Sequence, residues 1–172
     1  MKFSKSYVVV KYRSLADRTT YLQSVALLIL RIGFGFGLWI SGYAHLTHVD
    51  AMVKRFVEWH VPFPTLSVYV SGITEAAGGV LLFLGLATRL VSIPLIFNFV
   101  VAYATASREE WSRFVHGPDH WGGWADIIND SAMPFFVAAW VLLAFGAGKI
   151  SLDYVLERWT AGGEQFTEIS PP

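Results

Sequence analysis

Four stretches of the chain are almost entirely apolar, and most charged residues lie in the segments between them. The stretches cover residues 21–45, 66–84, 90–106 and 131–148. Each reaches or approaches the length of about 20 residues with which an α-helix crosses the hydrocarbon core of a bilayer. The pattern therefore predicts an all-α fold, an integral membrane four-helix bundle. The short connection 85–89 makes its second and third helices antiparallel neighbours.

Two shorter segments repeat apolar residues at helical spacing among charges, which is typical of amphipathic helices that lie on a membrane surface. The first ends before Pro62, because the residue that precedes a proline disfavours helical backbone angles. Its apolar positions are Val49, Met52, Val53 and Phe56. The second follows Ser151, a residue type that can cap a helix. The predicted parts of the chain are an N-terminal tail (1–20), a membrane domain (21–150) and an amphipathic C-terminal helix with its tail (151–172).

The composition is typical of a protein that is surrounded mainly by lipid. Apolar residues make up 54% of the chain and charged residues 15%, whereas soluble domains carry about 25% charge. The formal net charge is zero, so the chain lacks the basic field of a nucleic-acid-binding protein. It has no cysteine, which excludes disulfides, thiolate metal sites and cysteine-ligated iron–sulfur clusters.

The distribution of Lys and Arg predicts the orientation. Eight of these residues fall on the side that carries both termini and the tight connection, and four fall on the other side. Cytoplasmic loops carry the excess of Lys and Arg, so both termini are expected in the cytoplasm. Within the N-terminal tail, the sequence leaves residues 7–10 open between a strand and an interfacial patch.

Three polar residues interrupt the apolar stretches, and an ionised side chain at the centre of a membrane helix costs at least about 2.5 kcal/mol. They are Arg31, Glu75 and Asn98. Counted at about 1.5 Å per residue from the span ends, all three lie about 12–14 Å deep. We therefore expect one polar layer, in which Arg31 donates to Glu75 and Asn98 completes the network. The layer either fixes helix register or forms a pocket that binds a quinone headgroup or relays a proton.

The histidines all map to the side opposite the termini, which makes an outer-face site conceivable. The candidates are His45 and His48, three residues apart, and His116 and His120, four residues apart. The turn signal Gly-Pro-Asp between the second pair breaks helical spacing, so no metal site is predicted. The Trp-rich segment 111–124 nearby is either an aromatic belt at the lipid headgroups or a lip or docking surface for a ligand or subunit.

Several of these segments together resemble the DoxX family. The likeness rests on Leu-Arg-Ile-Gly at 30–33, on Glu75 with the small and apolar residues that follow it, and on Gly-Leu-Ala-Thr-Arg at 85–89. It also rests on Gly-x-Gly-x-x-Ser-Leu-Asp at 146–153. The resemblance covers about residues 22–153, with Asn98 where a histidine would be expected.

The resemblance implies a four-helix protein of the bacterial inner membrane. The family takes its name from an association with thiosulfate:quinone oxidoreductase and terminal-oxidase subunits, and members are linked to oxidative-stress complexes. The expected function is that of a membrane subunit of a quinone-linked redox or respiratory assembly, with lipid and other redox subunits as partners and a quinone as the implied cofactor. The alternative is a purely structural or assembly subunit of a larger electron-transfer or photosynthetic complex. A small transporter is disfavoured because the four spans show no clear inverted repeat.

Overall fold

Eight helices and their short connections make up residues 5–167, the part of the chain that the computed structural model describes. Side chains are described for Thr19 and for residues 21–160. The helices are α1 (Lys5–Thr47), α2 (Val49–Glu58), α3 (Pro64–Leu84), α4 (Thr88–Thr105), α5 (Arg108–His116), α6 (His120–Asn129), α7 (Met133–Phe145) and α8 (Leu152–Thr167). The described chain contains no strand, so the predicted all-α class is confirmed. Residues 7–10 belong to α1.

Three of these helices are long and apolar enough to cross a membrane, and they match the first three predicted spans. They are α3, α4 and the Tyr21–Thr47 part of α1. Proline at the start of α3 is tolerated there, because its missing N–H would have no partner in the first turn. Gly85 ends α3 in the left-handed conformation, with φ of 68°, which favours glycine over residues with a Cβ. The tight antiparallel connection to α4 follows directly.

The fourth predicted span differs from expectation, because it is short and bent. Helix α7 has 13 residues, a length of about 20 Å, and it meets α6 at an angle of 73°. Only the bent pair together is long enough to count as a fourth span. Asp130 fixes the break by accepting hydrogen bonds from the Ser107 hydroxyl and, at 2.8 Å, from the backbone N–H of Ala132. At the other end α7 stops at Gly146, whose φ is 74°.

The spans pack in a ring. Helix α1 lies mainly on α3, α3 on α4 and α4 on α7, and α7 touches α1 more lightly. Their shared core is aliphatic and aromatic: Leu27, Leu38, Leu82, Val91, Leu95, Phe99, Ala139 and Leu142. Many other large apolar side chains of the spans point outward, as they do when the surrounding solvent is lipid. The predicted four-helix arrangement is therefore present.

Glycines set the register of α1 against α3. A Cβ on Gly42 would lie 2.8 Å from the Cα of Ala76, and a Cβ on Gly79 would lie 2.5 Å from the carbonyl oxygen of Gly35. Real Cβ atoms do not approach backbone so closely, so these glycines allow the two helices to touch. The contacts place Ser41 opposite Glu75.

The connections define two ends of the bundle. The turn end consists of the α3–α4 turn, the 146–151 connection and the start of α8, and the loop end consists of α2, α5 and α6. Helix α2 has the predicted position, but its apolar face packs on Val61 and Val68 of the protein, where a membrane surface was expected. The Trp-rich segment is a helical hairpin formed by α5 and α6.

Candidate functional site

The candidate site is built around the carboxylate of Glu75, midway along α3. The side chain is buried, with 6% of the residue exposed. Its Oε1 accepts a hydrogen bond from the Asn98 amide at 2.9 Å and another from the Ser71 hydroxyl at 3.2 Å. Asn98 comes from α4, and Ser71 lies one helical turn before Glu75 on α3. The predicted contact between Glu75 and Asn98 is therefore present.

The other oxygen of Glu75 faces an imidazole from α1. His45 Nδ1 lies 3.4 Å from Glu75 Oε2, and the His45 side chain is 17% exposed. Ser41, one turn before His45, faces the same carboxylate. Neither Nδ1 nor Oε2 has a hydrogen-bond partner among the described residues. Two buried polar atoms thus face each other at ion-pair distance without an aligned hydrogen bond between them.

The geometry follows from helix register. The close approach of Gly42 to Ala76 carries His45 and Ser41 to the middle of α3. On the opposite side, Gly78 packs against Leu95 of α4, which brings Asn98, one turn further along α4, level with Glu75. The ring of Phe56, from α2, packs edge-on against the ring of His45, with 6.1 Å between the ring centroids.

Arg31 lies elsewhere, so the predicted Arg31–Glu75 pair is wrong. Its side chain, 1% exposed, is at the turn end, where its Nη2 donates to the carbonyl oxygen of Ile150 and its guanidinium packs against Gly85. The nearby charge that acts on it is that of Asp153. The predicted depth of Arg31 was wrong because it was counted from residue 21, whereas α1 runs without a break from Lys5.

The turn end forms a second polar cluster, and Asp153 is its centre. The two carboxylate oxygens of Asp153 accept the backbone N–H groups of Ala87 at 2.6 Å and Thr88 at 3.0 Å, which caps α4. The N–H of Asp153 donates to the carbonyl oxygen of Gly85 at 2.9 Å. The motif at 146–153 is therefore the clamp that fastens the start of α8 to the α3–α4 turn.

The fold does not bring the four histidines of the predicted outer-face site together. His45 turns inward to Glu75, whereas His48 is exposed and contacts the Thr47 hydroxyl at 3.0 Å. His116 ends α5 and His120 begins α6, where its ring nitrogen lies 2.6 Å from the carbonyl oxygen of Phe114. Within the described residues, no three His, Cys, Asp or Glu side chains are grouped as metal ligands.

Two members of the site were missed in the sequence. Ser71 could have been found, since it precedes Glu75 by four residues and therefore shares its helical face. Ser41 could have been found only from the register of α1 against α3, which the sequence does not display.

Chemically, the site combines a carboxyl group, an imidazole, an amide and two hydroxyls in a region that lipid surrounds. No Lys or Arg side chain among the described residues forms a salt bridge with Glu75. The site can therefore hold and exchange a proton, and it can donate hydrogen bonds to a neutral polar ligand.

Comparison with known proteins agrees with this architecture. The DoxX family model matches residues 26–108. The match contains Glu75 and Asn98 and ends at Arg108, the first residue of α5. The chain is also similar to the inner membrane protein YphA of Escherichia coli (strain K12), with 27% identity over 134 residues, which cover 76% of this chain and 90% of that protein. No solved structure matches. The first three spans of this membrane protein thus match the DoxX family model, in agreement with the resemblance seen in the sequence.

Proposed function

We propose that this protein is an inner-membrane subunit of a quinone-linked redox assembly, and that Glu75, His45 and Asn98 bind the quinone headgroup. The observation that carries the proposal is a buried carboxylate midway along a membrane helix with no basic Lys or Arg partner in the described chain. Intramembrane ionisable residues mark substrate pathways and proton relays. The name of the relative YphA supports an inner-membrane location.

The residues present fit a quinone headgroup. Its two carbonyl oxygens accept hydrogen bonds, and the site offers the His45 ring and the second amide hydrogen of Asn98 as donors. Glu75 Oε2 and His45 Nδ1, which lack hydrogen-bond partners in the described chain, are free to adjust to such a ligand. When bound, a quinone supplies two-electron, two-proton chemistry.

In that chemistry this chain would bind the quinone and transfer protons. Glu75 would hold or release a proton at its free oxygen. His45 lies between Glu75 and the loop end and is 17% exposed, so it would connect the buried carboxyl with water on that side. The chain has no cysteine, and electrons would come from partner subunits.

A second candidate function is that of an assembly subunit with no ligand of its own, and one observation favours it. The α5–α6 hairpin exposes Trp121 by 83% and Trp111 by 53%. Trp is enriched at the centres of protein interfaces. If the hairpin docks a larger complex, replacing both tryptophans with alanine will release the protein from that complex without changing the Glu75 site.

A quinone-analogue titration of the purified protein in detergent tests the first function. We expect saturable binding to the wild type and at least about tenfold weaker binding to Glu75→Gln, a loss of about 1.4 kcal/mol. His45→Gln, which replaces one nitrogen donor by another, should lose affinity to a smaller extent.

Glu58→Gln is the matched control, because it removes one carboxylate from the exposed face of α2 at the same end of the bundle. Its affinity should equal that of the wild type. Absence of saturable binding to the wild type, or unchanged affinity in a folded Glu75→Gln protein, would leave the assembly function as the better account.

A further inference from the structure

A cavity of about 400 Å³ opens at the turn end, well away from Glu75. It lies between α1, the start of α4, the 146–151 connection and the first turns of α8. Two basic side chains line it, Arg89 and Lys149. Both are exposed, and neither forms a salt bridge with a described side chain. The only hydrogen bond described for the Arg89 guanidinium is a long one, 3.4 Å, to the carbonyl oxygen of Ala144.

The acidic residues of the cavity do not cancel these charges. Asp153 is committed to the N-terminus of α4, since each of its oxygens accepts a backbone N–H, and its charge also acts on the buried Arg31. Glu157 is the second acidic residue of the lining and is exposed. The charges of Arg31 and Asp153 cancel each other. The remaining charged residues of the lining, Arg89, Lys149 and Glu157, therefore give the cavity a net charge of one positive unit.

The other side of the cavity is apolar and open to lipid. Leu90 and Phe145 both line it, and they are 71% and 59% exposed. Next to it, α8 turns an uncovered apolar face outward, formed by Leu152, Val155, Leu156 and Trp159. The cavity therefore has cationic side chains on one side and apolar side chains on the other, at the end of the bundle where the spans meet the membrane surface.

We propose that this cavity binds an anionic phospholipid. Its phosphate lies between Arg89 and Lys149, and its acyl chains lie along Leu90 and Phe145. A membrane lipid is the occupant that matches both halves of the cavity, because a soluble phosphate would use only the cationic side. The site is independent of the proposed quinone function.

Thermal unfolding of the delipidated protein in uncharged detergent tests the proposal. Phosphatidylglycerol, phosphatidylcholine and inorganic phosphate are titrated separately. We expect saturable stabilisation by phosphatidylglycerol at low lipid-to-protein ratio, and little effect of the other two. Each Lys or Arg near an anionic lipid surface strengthens binding about fivefold, so Arg89→Gln with Lys149→Gln should weaken the apparent affinity about 30-fold.

A matched control variant tests for nonspecific effects of removing two charges. Lys54→Gln with Arg55→Gln removes the same number of exposed charges from α2 at the loop end, and it should leave the lipid affinity unchanged. Equal stabilisation by phosphatidylcholine or by inorganic phosphate, or an unchanged affinity in the Arg89/Lys149 double variant, would overturn the proposal.

Discussion

The placement of Arg31 makes a quantitative prediction that separates two arrangements of the buried charges. In the structure Arg31 is coupled to Asp153, whereas Glu75 lies opposite Ser41, ten residues further along α1 and hence about 15 Å away along the helix axis. At an effective dielectric constant of about 20, unit charges about 15 Å apart interact by about 1 kcal/mol, and charges at half that distance or less by about 2 kcal/mol or more. Because the charge of Asp153 acts on Arg31, Arg31 should couple more strongly to Asp153 than to Glu75.

Two double-mutant cycles measure the difference. The first combines Arg31→Gln with Asp153→Asn, and the second combines Arg31→Gln with Glu75→Gln. Asparagine is a good helix cap, so Asp153→Asn removes the charge and keeps an acceptor for one of the two N–H groups of Ala87 and Thr88. The loss of the other hydrogen bond occurs in the single and the double variant alike and cancels in the cycle. The free energy of unfolding in detergent is read from SDS titrations of each single and double variant.

We expect coupling energies of about 2–3 kcal/mol in the first cycle and no more than about 1 kcal/mol in the second. A second-cycle coupling equal to or larger than the first would refute the reasoning. It would place Arg31 against Glu75 in one polar layer, and the proposed quinone site would then lose its carboxylate without a Lys or Arg partner.

Three other predictions concern packing, topology and metal content. Gly42→Leu should strongly lower the melting temperature, because its side chain would enter the backbone of α3, whereas Gly33→Ala, which meets nothing within 4 Å, should be neutral or slightly stabilising; equal effects would contradict the register. Since the chain has no cysteine, single cysteines at Ser112 and Thr160 can be labelled cleanly, and we expect labelling of Ser112 from the periplasm and of Thr160 from the cytoplasm. The purified protein should carry no stoichiometric zinc, copper or haem, and elemental analysis or a Soret band would show otherwise.

Length and periodicity predicted most of the fold. The spans at 66–84 and 90–106 differ from α3 and α4 by two residues or fewer at each end, because apolar runs bounded by Pro64 and Gly85 leave little choice. The bend and the short length of the fourth span were not predicted, because hydropathy records only how apolar a segment is. It does not register the break that Asp130 fixes by accepting the Ser107 hydroxyl and a backbone N–H.

Only part of the candidate site could be predicted from the sequence. The contact between Glu75 and Asn98 followed from counting residues on either side of the short α3–α4 turn, where both helices have defined ends. The same count failed for Arg31, because α1 continues far beyond the apolar run and offers no end from which depth can be measured. His45 was seen as part of an outer site, since nothing in the sequence shows that Gly42 brings this part of α1 onto the middle of α3.

The separation of the two charges bears on what Glu75 is for. Arg31 has a carbonyl partner and a nearby carboxylate at the end of the bundle, and its Nε and Nη1 have no hydrogen-bond partner among the described residues. Glu75 has neither a Lys nor an Arg partner among the described residues, and the hydrogen bonds from Asn98 and Ser71 both end on one oxygen. A glutamine would accept the same two bonds without the desolvation of a charge. If Glu75 only fixed register, Glu75→Gln would therefore be harmless to every activity; we expect it to keep or raise stability and to lose ligand binding, which is the behaviour of a residue retained for its proton.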